Sequence, residues 1–142
     1  MPDAAPSPTN VERLKQTYAR WSASGGRDAD AWLSLFSDEG VLRSVGAEGA
    51  ALSFAGARHG RSGAEAYFAQ LAEAWQIEHW TPVTFVGDGD RIAVLGRVGA
   101  KSRATGRSVE IDIAHFWRFE GGRAVECTEI FDSARAVAAA TP

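Results

Sequence analysis

Two alternating segments, Arg107 to Glu120 and Arg123 to Ala134, joined by Gly121 and Gly122, constrain this chain more than any other feature. Two residues between strands is tight-turn length, and glycine tolerates the positive φ that such a turn needs. The pair therefore predicts a β-hairpin. Counting outward from the turn with a period of two, Val109, Ile111, Ile113, His115, Trp117 and Phe119 share one face. Across from them, if no bulge intervenes, stand Ala124, Glu126, Thr128, Ile130 and Asp132. That register puts two titratable groups, His115 and Asp132, on one otherwise apolar side.

Helical signals come earlier. Thr9 followed by Glu12 fits a capping box, and Val11, Leu14, Tyr18 and Trp21 then recur at helical spacing until Gly25 and Gly26. Asp28 can cap a second, shorter helix carrying Trp32, Leu33, Leu35 and Phe36, which Gly40 closes before the β-prone stretch Val41 to Val45. Gly46 to Ala51 reads as a loop, and Phe54 to His59 as a short strand bounded by Gly60. Ser62 and Glu65 repeat the capping-box pattern ahead of a third apolar stripe, Ala64, Tyr67, Phe68, Leu71 and Trp75. Beyond Ile77 the period becomes two, leading through His79, Val83 and Phe85 to a Gly-Asp-Gly-Asp turn at 87–90 and back along Ile92, Val94 and Val98. Helices first and antiparallel strands last imply an α+β fold with helices covering one face of a curved sheet.

With 142 residues the chain forms one domain, expected over 9–135, with a disordered lead-in at 1–8 and a tail at 136–142. No apolar run approaches a membrane span. A net charge of -3 with scattered basic residues argues against nucleic acid or a polybasic membrane patch as partner. The N-terminus lacks the basic and apolar regions of a secretory signal, and the single cysteine, Cys127, has no partner within the chain, so a reduced cytoplasmic setting is expected. His59, His79 and His115 lack metal-ligand spacing, and no glycine-rich phosphate loop follows a strand; neither metal nor cofactor is expected.

Several stretches carry a resemblance: Leu35-Phe36-Ser37-Asp38-Glu39 after the second helix, Phe54-Ala55-Gly56 to Gly60 before the third, the hairpin Ala114 to Arg123, and the closing Ile130-Phe131-Asp132. In order and spacing the chain resembles the nuclear transport factor 2-like superfamily, and within it the SnoaL-like and ketosteroid-isomerase-like proteins. The resemblance implies a cone-shaped α+β barrel, three helices over a strongly curved, mostly antiparallel sheet, with a pocket between. It also implies a homodimer packed through the outer sheet face, whose exposed row would include Phe116, Cys127, Glu129 and Phe131. In ketosteroid isomerases a catalytic aspartate stands on the first strand, where this chain has Ser44, which cannot be the base. The family's second acid falls on His115, and its helix tyrosine matches Tyr18. SnoaL-like cyclases place their general base at Asp132.

His115 and Asp132 are thus the candidate catalytic pair, donating to an oxygen and removing a proton, as in isomerisation, cyclisation or elimination. Tyr18, Ser44, His79, Trp80, Ile113 and Trp117 are candidate ligand-binding residues. The plainer alternatives are a core histidine, a strand-end carboxylate that starts the final turn, and a tyrosine packed with its hydroxyl bonded. A one-residue shift of the first strand would exchange Ser44 for Arg43 in the pocket and favour anionic ligands. The expected ligand is a small, largely apolar, oxygenated molecule. A non-catalytic binding or accessory protein is the alternative, and a protein-interaction module with a plugged pocket the third.

Overall fold

Helix α1 (Asn10–Ala23) starts where Thr9 caps it: the Thr9 hydroxyl accepts from Glu12 N–H at 3.1 Å and the Glu12 carboxylate accepts from Thr9 N–H at 2.8 Å. Gly25 and Gly26, at φ 63° and 75°, then turn the chain away. Asp28 caps α2 (Ala29–Leu33), which stops short of the expected Leu35 and Phe36. Phe36 already belongs to β1 (Phe36–Val45), an aromatic well suited to a strand. The computed structural model describes residues 8–46 and 52–142. The expected lead-in up to residue 7, and residues 47–51 of the expected loop, lie outside them.

β2 (Gly56–His59) leads directly into α3 (Gly60–Ala74). The capping box expected from Ser62 and Glu65 does not form. His59 is the N-cap, with no side-chain hydrogen bond, and Glu65 pairs instead with Arg61 at 3.1 Å. The meander β3 (Trp75–Asp88), β4 (Arg91–Ser102), β5 (Ser108–Glu120) and β6 (Arg123–Phe131) follows as expected. The six-stranded sheet has the order β2-β1-β6-β5-β4-β3, antiparallel except where β1 runs parallel to β6. Irregular register within β3, within β1 and at the end of the last hairpin bends it around the helices.

Residues expected as a tail are the greater part of a fourth helix, α4 (Ser133–Ala140). Alanine's helix propensity and a cap from Asp132, which accepts from Arg135 N–H at 3.2 Å, account for it. Ala136 and Ala139 are buried against the sheet, so the domain extends past 135. All five tryptophans are buried in one core between helices and sheet.

Candidate functional site

The hairpin carries the site, with one irregularity that decides its composition. Gly121 and Gly122 adopt positive φ, 57° and 79°, and β5 turns its odd residues inward as the alternation requires. On β6, however, Phe119 pairs with Ala124 while Arg118 pairs with Glu126, so Val125 is extra. This bulge reverses the phase of everything beyond it. Cys127, Glu129 and Phe131 face inward, whereas Glu126, Thr128 and Ile130 face outward. His115 therefore stands opposite Glu129, not Thr128. Asp132 is exposed at the cap of α4, away from His115, which corrects the expected Asp132–His115 pair. The expected outer row loses Cys127, Glu129 and Phe131 for the same reason.

Glu129 is 8% exposed and sits on the wall of an apolar cavity of about 80 Å³. Ser44 Oγ donates to its Oε1 at 2.9 Å, the Tyr67 hydroxyl to Oε1 at 3.0 Å, and His115 Nε2 to Oε2 at 2.7 Å. Burial pushes this carboxyl up, but the hydrogen bond and charge attraction of His115, with the hydroxyls of Ser44 and Tyr67, outweigh it and hold Glu129 below the ordinary carboxylate range. The network extends beyond the carboxylate. Trp117 Nε1 donates to the Tyr18 hydroxyl at 3.0 Å, and that hydroxyl lies 2.5 Å from His115 Nδ1. Burial keeps the Tyr18 phenol protonated well above its usual range, so a neutral hydroxyl ties His115 Nδ1 to Trp117 on the side of the ring away from Glu129.

Ser44 is buried while Arg43 is exposed, which settles the register of β1. In the parallel pairing Ser44 is directly opposite Glu129. Tyr18, Ser44, His115 and Trp117 thus converge in one network; His115 and Trp117 line the cavity with Trp80 and Ile113, whereas Tyr18 and Ser44 stand behind its wall. His79 does not. A bulge at Glu78 turns it outward, where it meets Glu110 at 2.7 Å and Thr81 at 3.0 Å. Sequence reasoning also missed Tyr67, and Glu129 most of all. The available signal was a conflict of phase: Ala124 next to the turn is even-numbered, but the apolar Cys127 and Phe131 are odd. A strand that switches its apolar parity contains a bulge.

The remaining wall is hydrocarbon, aromatic ring and the Cys127 thiol, with Trp21, Trp32, Phe36, Phe68 and Trp75 among the rings, and among the described residues no lysine or arginine lines it. The volume exceeds several times the ~10–15 Å³ that one water needs, yet falls below the ~300–1,000 Å³ of pockets for drug-sized ligands. A compact ligand fits that range best. Among the described residues no cluster of three or more His, Cys, Asp or Glu could hold a metal ion, and no helix is long and apolar enough to cross a membrane.

The SnoaL-like domain family model matches residues 14–127. A search of curated proteins gave no match. Among solved structures, an NTF2-like protein of unknown function from Burkholderia pseudomallei is 25% identical, covering 96% of this chain and 100% of its own at a TM-score of 0.81. A putative isomerase from Rhodopseudomonas palustris (19% identity, 95% and 98% coverage, TM-score 0.76) and a putative polyketide cyclase from Pseudomonas putida (17%, 94% and 98%, 0.77) share the fold.

Proposed function

The chain belongs to the SnoaL-like domain family, and from that membership and the cavity's geometry we propose that it binds a compact, largely apolar, oxygenated molecule and acts on it by cofactor-independent acid–base chemistry. One observation carries the reading: a buried carboxylate, Glu129, stands with His115 and Tyr67 on the wall of a largely apolar cavity. A carboxylate fixed on that wall can take a proton from a bound ligand, and because its donors make it a weaker base than a free carboxylate, it suits a carbon acidified by a neighbouring carbonyl. Isomerisation, cyclisation and elimination all begin with such a step. Structures of the same fold named as a putative isomerase and a putative polyketide cyclase are in keeping with it.

In this proposal Glu129 is the base. His115, with both ring nitrogens engaged, is a positioning residue that holds the carboxylate through Nε2–H and is itself oriented by Tyr18. Tyr67, on the wall and donating to Glu129, is the hydroxyl best placed to turn toward a ligand oxygen. The test is a panel of compact ketones, terpenoid epoxides and polyketide-like esters offered to wild type and Glu129→Gln, reading thermal stabilisation and product together. Stabilisation of both proteins, with product from wild type alone, is expected. Product formed equally by both would refute Glu129 as base.

One feature favours a second reading, a binding protein without turnover. Every polar group in the Ser44, Tyr67, His115, Glu129 and Tyr18 network already has a partner. Stabilisation of both proteins with no product from either would identify that case.

A further inference from the structure

Trp75 is the first residue of β3, immediately after the last turn of α3, and its side chain forms part of the cavity wall at only 4% exposure. Its indole Nε1–H is the one buried side-chain nitrogen or oxygen without a hydrogen-bond partner among the described residues. The contrast with Trp117 is direct, since that indole donates to Tyr18. No described residue accepts from the Trp75 indole. In the register Trp75 stands opposite Ser102, a buried residue that is not on the cavity wall and makes no hydrogen bond with the indole. On the wall itself its neighbours are Leu71 one turn earlier, Ile77 two residues on, Ala100 opposite Ile77 and Val109 opposite Ala100. All are hydrocarbon. A buried donor left unmade is costly, and an acceptor brought in by a ligand recovers that loss.

We propose that Trp75 Nε1–H is the hydrogen-bond donor that anchors the ligand, so that the cavity takes a neutral molecule bearing a carbonyl, ester or ether oxygen and rejects organic anions. This rests on the reading of the cavity as a ligand site and narrows its ligand class. Charge supports the neutral choice. An anion would be buried with no lysine or arginine on the wall and with the Glu129 carboxylate on the same cavity. An ammonium ion would suit the aromatic wall and Glu129 but has no lone pair to offer Trp75. A ketone or ester meets both requirements. Its oxygen accepts from Trp75, and its flanking carbon carries the kind of proton a carboxylate can remove.

The experiment uses three compact probes of one shape, 2-indanone, indane and indane-2-carboxylate, titrated into the ¹⁵N-labelled full chain. The expected result is that 2-indanone binds about tenfold tighter than indane, that it alone moves the Trp75 indole N–H resonance to lower field, and that the carboxylate binds weakest. Trp75→Phe, which keeps an aromatic ring but no donor, should weaken 2-indanone to the level of indane and leave indane unchanged. Should the variant fail to fold, the wild-type resonance decides. Equal affinities for 2-indanone and indane with an unmoved Trp75 resonance would overturn the donor assignment while leaving the cavity a ligand site. Binding of the carboxylate as tightly as the ketone would overturn the neutral class. Binding of none of the three would overturn the ligand-site reading and this inference with it.

Discussion

In the proposed chemistry a single carboxylate, Glu129, takes the proton, and its surroundings determine how it responds to acid. Because its folded pKa lies below the ordinary value, its contribution to stability is complete above the usual carboxylate range and disappears as pH falls through the lowered folded value. Tyr18 and Tyr67 behave in the opposite sense. Burial raises both phenols, so their contribution is complete below the ordinary value of 10.0 and disappears as pH rises beyond it. A stability plateau is expected between these limits, and in Glu129→Gln the acid limb should be shallower. Urea unfolding across the pH range would show this; stability that continued to rise below the carboxylate range would contradict it. Tyr18→Phe removes the hydroxyl that both Trp117 Nε1–H and His115 Nδ1 use. Two buried groups lose their partner, at an expected cost of about 2–4 kcal/mol, readable as a lower urea midpoint at unchanged slope. At this scale the sequence was informative about His115, Ser44, Tyr18 and Trp117, whose place follows from parity and resemblance. Glu129 was hidden because one extra residue, Val125, reverses the count.

Among the elements, the irregular positions place the chemistry. The β6 bulge aims Glu129 inward, and the β3 bulge at Glu78 turns His79 out while Trp80 turns in. Trp80 also requires Gly96, which pairs with Pro82 in the register and lies against the Trp80 ring. A Cβ added at Gly96 would stand 2.4 and 2.6 Å from its ring atoms and 2.8 Å from the Thr81 carbonyl oxygen. Gly96→Ala is therefore expected to displace Trp80 and cost about 1–3 kcal/mol, with a change in near-ultraviolet circular dichroism. An unchanged melting temperature would refute that close packing. Capping boxes, hairpins and the tight glycine turn are local, and α1 and the strand order from β3 to β6 were legible for that reason. Bulges and the α3 cap are settled by packing between distant segments. The α3 start illustrates this: Ser62 and Glu65 have the right spacing, yet the helix begins earlier, directly from the pairing of β2 with β1. α4 was missed because an alanine-rich end carries little periodic signal, although Asp132 as a cap was available to be read.

For the molecule as a whole, the sheet has a covered face and an open one. Leu95, Phe116 and Ile130 stand on the open face at 51%, 49% and 46% exposure, with Val86 beside them. A second copy of the chain is the proposed cover, the apolar row being rimmed by Arg97–Asp112 and Arg118–Glu126 pairs. Sedimentation should give a dimer for wild type and a folded monomer for Phe116→Asp; a wild-type monomer at all concentrations would contradict it. The cavity on the other face is where the account is most exposed to refutation. Its central claim, that Glu129 takes protons from a ligand bound there, is tested most directly by deuterium exchange at the α-carbons of 2-indanone in heavy water, followed by proton NMR. Wild type should accelerate the exchange, and Glu129→Gln should bind the ketone yet exchange it about 10²–10⁴-fold more slowly. Equal exchange by the two proteins, with the ketone bound to both, would contradict the claim.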